Sequence, residues 1–504
     1  MKSLSANAIS NIAAKLWSMF SIYLFIPLYI QILGKTAYGL VSFFGTLQSA
    51  MNLLGLGLSN TLQREFAVGG GGDGSNARKY QMLRSVELIY IVLGIIISLI
   101  CSVSSESIAE KWLNIESLDP ALVSTVLSLM GISIALQMIA NLYAGCLFGL
   151  DLQVRANVYC IAWSMAKSCG ALLVILVGGP NLIYFYFWHI LVDVLYLLVL
   201  RSSVVRRVWC SQLKWCLRDI ANLSSIWKYT LGILVISLIA IVNKQLSQVI
   251  ISGYLTLTEL GAYNIAVTLG SLTAIFSSAI STTMFPRFVR AASMGENEAL
   301  QREFTKVNRL VNIVLSCMGA FIATFSLPLI QVWTRTSAYQ ELLRYVAPLV
   351  VLAVAATEFQ QIPYAMALAN GNTKINILVG GIALPFVAVF TYYAITNFGL
   401  PGAGFIYFAA MLVESLIYEI LVYRKYLRGF VVGLVLRDTM APLALSLVMA
   451  CGCKVIISSL TGSALIESLL AVLSGCISLV VLLLLFERGH IKSFLKFVRG
   501  GTSK

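Results

Sequence analysis

Apolar runs of membrane-spanning length recur along almost the whole chain and constrain its fold more than any motif does. Each holds roughly 20 residues, the number a helix needs to cross a hydrocarbon core about 30 Å thick. They fall at 8–33, 38–62, 85–105, 120–147, 157–178 and 181–200, then at 228–252, 262–285, 308–331, 345–367, 375–396 and 402–422, and last at 439–460 and 466–486. Fourteen helices grouped six, six and two make an all-α polytopic membrane protein. With 59% hydrophobic and 11% charged residues and a mean hydropathy of +0.88, the chain is more apolar than a soluble core requires. Residues 8–33 are interrupted by Asn11, Lys15 and Pro27 and precede no small-residue cleavage site, so they read as a retained first helix.

The grouping predicts four parts: a six-helix lobe at 1–200, a basic cytoplasmic linker at 201–227, a second six-helix lobe at 228–428, and an extra helix pair with a basic tail at 429–504. The two lobes echo each other. Tyr38 precedes Gly45-Thr46-Leu47 as Tyr263 precedes Gly270-Ser271-Leu272, and LSNTLQREF from Leu58 to Phe66 parallels ISTTMFPRF from Ile280 to Phe288. Such an echo points to an internal duplication, a common feature of transporters. Orientation follows from the basic residues. Of the 35 Lys and Arg, Lys35, Lys111, Arg335 and Arg344 lie in loops on one side, and Lys15, Lys167, Lys244 and Lys454 lie inside spans. The rest gather on the other side with both termini, which the positive-inside rule places in the cytoplasm.

Polar residues inside the spans are the candidate working parts, because a charge in hydrocarbon costs about 2.5–3.5 kcal/mol unless it faces protein or water. Asn7, Asn11, Lys15 and Ser18 line one face of the first helix. They read either as a cavity stripe with Lys15 holding an anion, or as a lysine snorkelling to the headgroups. Lys244 lies deeper, with Gln248 one turn on; it lines a cavity or sits in an ion pair. Lys167 and Asp193 have opposite signs in neighbouring spans, and a structural pair between them stands beside roles in the cavity and in ion coupling. Glu358 and Glu414 are candidates for ion coupling or for partnering a buried lysine. Arg64, at the inner end of the second span, is a cavity candidate or a headgroup anchor. Prolines 27, 328, 348, 363 and 385 lie within apolar runs and predict kinks.

Other functions find little support. Cys451-Gly-Cys453 has no His or acidic companion, so no metal is expected, and GGGGDG at 69–74 lacks the Lys-Ser/Thr of a phosphate loop. No cofactor is expected. Neither a nucleophile elbow nor a large loop supports an enzyme. The basic linker suits anionic membrane lipids rather than nucleic acid.

The segment PLYIQILGKTAYGLVSFFGTLQSAMNLLGLGLSNTLQREFA (Pro27–Ala67) resembles the first helix pair of bacterial oligosaccharide flippases, of the multidrug/oligosaccharidyl-lipid/polysaccharide exporter superfamily. QLSQVIISGYLTLTELGAYNIA (Gln245–Ala266) is similar to their seventh-helix motif, and FPRF (Phe285–Phe288) fits as well. The last two helices resemble the extra pair of peptidoglycan-precursor flippases. Members often carry aspartate where Gly55 and Ser247 stand here, which leaves Asp193, Glu358 or Glu414 for coupling. The resemblance implies a multi-pass protein of the bacterial inner membrane. It would move undecaprenyl-diphosphate-linked oligosaccharide to the periplasmic leaflet by alternating access, coupled to H+ or Na+, with other polysaccharide-assembly proteins as candidate partners. The alternative is a cation-coupled multidrug extruder of the same superfamily, against which the buried lysines weigh.

Overall fold

Each apolar run that the described residues cover folds as helix. The computed structural model describes residues 2–67, 73–208, 245–294, 297–372, 374–427 and 431–486. Among them regular structure is helical, apart from one isolated bridge between Asn114 and Thr256. Among the described residues ten helices are long and apolar enough to cross a membrane, or eleven if a bent pair counts as one span. The chain divides into two compact units, Met1–Gly261 and Ala262–Lys504. The expected lobe boundary at 228 lies outside the described residues.

In the first unit, α1 (Lys2–Leu33), α2 (Lys35–Ala67), α3 (Asp73–Ser107), α4 (Pro120–Gly149), α5 (Gln153–Gly178) and α6 (Leu182–Val208) are followed by α7 over 245–254. Asp119 caps α4 by accepting the Ala121 amide at 3.1 Å, and Pro120 fills the first turn, where its missing N–H is no loss. α4 is the central helix. Its Leu142, Tyr143 and Leu147 pack with Leu62 and Phe66 of α2, Leu83 and Tyr90 of α3, and Leu200 and Val204 of α6. Lipid tails are as apolar as leucine, so burial alone does not hold helices together in a bilayer, and close backbone approach must. Gly145 and Gly149 supply it: a Cβ on either would run into Ser59 or the Gln63 backbone of α2. The outward faces of α3 (Ile95, Leu99, Ile100) and α5 (Leu173, Leu176) expose large apolar side chains suited to lipid.

The second unit begins within α8 (Leu257–Gly270) and continues through α9 (Leu272–Ser293), α10 (Asn297–Thr324), α11 (Ser326–Thr334), α12 (Gln340–Leu343), α13 (Val346–Glu358), α14 (Gln361–Ala369) and α15 (Lys374–Tyr426). α16 (Val431–Val435) leads through a π-helical turn, Leu436–Met440, into α17 (Ala441–Leu460) and α18 (Ala464–Phe486). Three runs expected as single spans are each broken in two. α8 and α9 meet at 41°, where the Ser271 hydroxyl donates back to the Thr268 carbonyl at 2.6 Å. α10 gives way to α11 at Phe325, and α13 to α14 at Phe359–Gln360. Pro328 and Pro363 then stand in the first turns of α11 and α14, the one part of a helix that tolerates a ring without N–H. α15 turns over at Gly399, whose φ of 62° suits a residue without a side chain, so its two halves are the expected spans 375–396 and 402–422.

α17 and α18 pack on α10 through Ala450, Ile457, Ala471 and Leu482 against Ile313, Cys317 and Phe321. Lys454, expected inside a span, reaches Glu467 of α18 at 3.4 Å and lies over the Phe325 ring. Of the echoed residues, Tyr38 and Phe66 are buried in the first unit and Tyr263 and Phe288 in the second.

Candidate functional site

The polar stripe of α1 meets the start of α5. Asn7 Nδ2 donates to Asp151 Oδ1 at 3.0 Å and Asn11 Nδ2 to Gln153 Oε1 at 2.9 Å, while Asn157 Nδ2 donates to Asn11 Oδ1 at 2.5 Å and Ser10 Oγ at 3.0 Å. Asn11 thus belongs to a ladder joining α1 to α5. Lys15 and Ser18, farther along the stripe, are exposed on the unit.

Deeper in the same unit, Asp193 of α6 gathers partners from two other helices. Lys167 Nζ of α5 lies 3.2 and 3.1 Å from its two oxygens. Trp163 Nε1 donates to Oδ1 at 2.8 Å, and Ser133 Oγ and Gln137 Nε2 of α4 donate to Oδ2 at 2.5 and 2.9 Å. Gln48 of α2 donates in turn to Gln137 Oε1. The Lys167 ammonium also lies over the Trp163 and Phe44 rings, 5.1 and 5.8 Å from their centroids. Asp193 and Lys167 are both buried, so this is a desolvated ion pair whose oxygens carry further donors. On α7, Gln248 accepts from Thr46 Oγ1 of α2 at 2.7 Å, and Gln245 and Ser247 are buried beside it in sequence.

In the second unit Glu358 ends α13 at the break before α14. Ser277 of α9 donates to it, and Ser415 of α15 bridges the break, donating to the Ala356 carbonyl at 2.6 Å and accepting from Gln360 Nε2 at 2.9 Å. Glu414 is half-buried and has no hydrogen-bond or ion-pair partner among the described residues. Buried Tyr407 lies within electrostatic reach of both acids.

Residues 4–292, more than half of the chain, match the family described as polysaccharide biosynthesis protein. The chain belongs to the polysaccharide biosynthesis protein family. Its fold is shared with a lipid II flippase and with MOP superfamily transporters of solved structure. It is similar to the structure described as lipid II flippase MurJ, inward closed conformation, with a TM-score of 0.72 at 13% identity, covering 96% of this chain and 99% of that one. An inward-facing multidrug resistance MATE family transporter of the MOP superfamily follows at TM-score 0.66 and 14% identity, covering 84% and 95%. A MOP superfamily transporter from Pyrococcus furiosus, described by the reverse polarity of its binding pocket, gives 0.55 at 16% identity, covering 86% and 96%. No curated protein matches this polysaccharide biosynthesis protein. Its many apolar helices and this fold make it a multi-pass membrane protein.

Among the residues singled out from the sequence of this family member, Lys167 and Asp193 come together, as do Asn11 with α5 and Gln248 with α2. Lys244 lies outside the described residues, as does the side chain of Arg64 on α2. Sequence reasoning passed over one cluster. Glu419 of α15 is fully buried and accepts from Asn308 Nδ2 at 2.8 Å, Asn312 Nδ2 at 3.1 Å, the Tyr423 hydroxyl at 3.0 Å and Thr439 Oγ1 at 2.7 Å. The signal was present: Asn308 and Asn312 are four apart on α10, and Glu419 and Tyr423 four apart on α15, so each pair shares a helix face. Next to it, Asp438 pairs with Arg437 at 2.8 Å and lies 3.1 Å from Arg309 Nε, the latter without the alignment of a hydrogen bond.

Proposed function

We propose that this protein is a flippase that carries undecaprenyl-diphosphate-linked oligosaccharide from the cytoplasmic to the periplasmic leaflet of the bacterial inner membrane, with both termini in the cytoplasm. The observation that carries the reading is the joint one: a polysaccharide-biosynthesis family match over 4–292, on a fold similar to a lipid II flippase along nearly its whole length. The likeness to the multidrug transporter covers 84% of the chain against 96% for the flippase, which favours lipid-linked cargo over small-molecule extrusion.

In this reading the diphosphate needs cationic hosts. Lys167 is already neutralised by Asp193, so that pair serves to hold α5 to α6, and the cargo charge falls to Lys15, Lys244 and Arg64. Gln248 and Asn11 then place these helices through their bonds to α2 and α5. Transport runs on an ion gradient, H+ or Na+. Glu414 is the acid best placed to take up a proton, because it is half-buried with no hydrogen-bond or ion-pair partner among the described residues, while Glu358 sits at a break where a helix can bend. Anionic lipids bind the basic cytoplasmic segments, and other polysaccharide-assembly proteins are proposed partners.

The test is the leaflet position of lipid-linked oligosaccharide in cells lacking the protein, in cells carrying Lys244→Ala, and in wild type. Cytoplasmic accumulation in both altered strains supports the flippase with Lys244 in the cargo path. Accumulation only in the deletion keeps the flippase and removes Lys244 from the path. Normal delivery in a deletion strain with no second flippase rejects the reading.

A further inference from the structure

We propose that the first unit carries a binding site for one anionic phospholipid, with the phosphate at Arg84 of α3 and Arg201 of α6 and an acyl chain in the groove between α3 and α4. Glu87 is buried between the two arginines: Arg84 Nη1 donates to its Oε2 at 2.9 Å and Arg201 Nε to its Oε1 at 2.9 Å. Arg84 Nε donates to the Tyr80 hydroxyl at 3.1 Å, and the guanidinium lies 5.3 Å from the centroid of that ring. Two guanidiniums on one carboxylate leave one positive charge in excess, and no second acid pairs with either among the described residues. An arginine has five N–H donors, so both keep donors beyond these bonds. Holding a long side chain in one rotamer costs entropy, and Glu87 and Tyr80 impose that order before an anion arrives.

The second observation is a pair of hollows that meet at one residue. Arg84 and Arg201, with Tyr80, Glu87, Leu88 and Ile91, line a cavity of about 410 Å³. Ile91 also lines a groove of about 420 Å³ with Gly94, Ser98 and Ser102 of α3 and Ser128 and Ala135 of α4. On α3 the lining positions 84, 88, 91, 95, 98 and 102 alternate spacings of four and three, so they form one continuous strip along the helix. The strip is cationic at one end and apolar, with a few hydroxyls, beyond. From Ile91 to Ser102 it runs about 16 Å, close to the depth of one leaflet's hydrocarbon, about 15 Å. Gly94 keeps the groove open, since a Cβ there would come within 3.3 Å of the Ala135 Cβ. Ile91, Ile95 and Leu99 are exposed, so the groove opens where lipid lies.

An anionic head on a hydrocarbon tail describes both a membrane phospholipid and the proposed cargo. One excess positive charge suits the single phosphodiester of a phospholipid, whereas a diphosphate carries more charge than the site matches. A groove one leaflet deep suits an acyl chain, and a long polyprenyl tail outruns it. Zwitterionic lipid fits less well, because its ammonium would meet the same arginines. Arg84 precedes the apolar run 85–105 and Arg201 follows the run 181–200, so both stand at the level of the headgroups. The site stands whatever the cargo; only its assignment to the cytoplasmic leaflet rests on the orientation in the proposed function.

The experiment is thermal unfolding of the purified full-length protein in detergent, with phosphatidylglycerol, phosphatidylethanolamine or undecaprenyl diphosphate added to rising mole fraction in the micelles. A saturable rise in Tm with phosphatidylglycerol is expected, because a ligand bound only by the folded state stabilises it. Half the effect should need a mole fraction roughly 10-fold lower than with phosphatidylethanolamine. Arg84→Gln keeps the pair between Glu87 and Arg201 but removes the excess charge, and should abolish that preference. Ser102→Trp fills the far end of the groove and should raise the half-saturation for phosphatidylglycerol with the charges untouched. Equal rises with the two phospholipids overturn the site, as does a preference kept in full by Arg84→Gln. A response to undecaprenyl diphosphate at lower mole fraction than to phosphatidylglycerol gives the strip to the cargo and overturns it too. Should Arg84→Gln not fold, Ser102→Trp decides, since an unchanged half-saturation rejects the groove. Leaflet position of the cargo plays no part in this readout, so the site and the flippase reading fail separately.

Discussion

Asp193 and Glu419 are both carboxylates buried among helices, and their surroundings differ in one respect. Asp193 has an ammonium at 3.1 Å and three neutral donors; Glu419 has four neutral donors and no cation in contact among the described residues. Hydrogen-bond satisfaction is similar in number, so it cannot be what distinguishes them. Charge is. The first site is closed, with opposite charges on α5 and α6 paired to each other. The second has no such pairing among the described residues.

The largest effect that follows is on the closed site. Asp193→Asn keeps size and several hydrogen bonds but leaves Lys167 buried without a counter-ion, which should cost about 3 kcal/mol, and Lys167→Met should cost as much by stranding Asp193. The double variant Asp193→Leu with Lys167→Met removes both charges and should recover more than half of that loss. Chemical or thermal unfolding of the purified variants reads this directly. Additive losses in the double variant would show that the two charges do not depend on each other, and the comparison would fall.

A smaller effect measures how much the neutral donors contribute once the ion pair is in place. Trp163→Phe keeps the ring that faces Lys167 and deletes the indole N–H that reaches Asp193 at 2.8 Å. Polar contacts between membrane helices average only about 0.6 kcal/mol, and a bond to a charged group runs higher, so a loss near 1 kcal/mol is expected. A loss as large as that of Asp193→Asn would mean that the indole, not the ammonium, is the partner that matters.

The two sites were not equally legible in the sequence. Lys167 and Asp193 stand out because charge is rare in apolar runs, and opposite signs in neighbouring spans invite a pair. Glu419 lies at the end of its run, close to Arg424 and Lys425, where an acid looks like part of a solvated loop. Its burial depends on α10 and the π-helical turn arriving from elsewhere in the chain, and Asn308 and Thr439 sit at run ends where polar residues are ordinary. The spans themselves were readable because bilayer thickness sets a length. Their interruptions were less so. Pro328 and Pro363 signalled trouble in the right runs, but the bend at Ser271 rests on a hydroxyl bonding its own helix, which many serines do without bending anything. Tyr38 and Tyr263 of the echo are both buried, yet α2 is continuous where α8 and α9 are bent, so similarity of sequence did not carry similarity of shape.

The smallest expected effect separates the two sites most sharply. Glu419→Gln replaces a carboxylate by a neutral side chain of nearly the same shape, the same kind of change as Asp193→Asn. At Asp193 the change strands a lysine. At Glu419 no cationic side chain is in contact to be stranded, and the amide oxygen of Gln can still accept from Asn308, Asn312 or Tyr423, while removal of a buried charge relieves its desolvation. The stability change should therefore stay within about 1 kcal/mol and can have either sign, against about 3 kcal/mol for Asp193→Asn. Unfolding of both variants side by side is the measurement. If Glu419→Gln proves as damaging as Asp193→Asn, then Glu419 has a fixed counter-charge after all, supplied by Arg309 or Arg437 across Asp438, and the second site is as closed as the first.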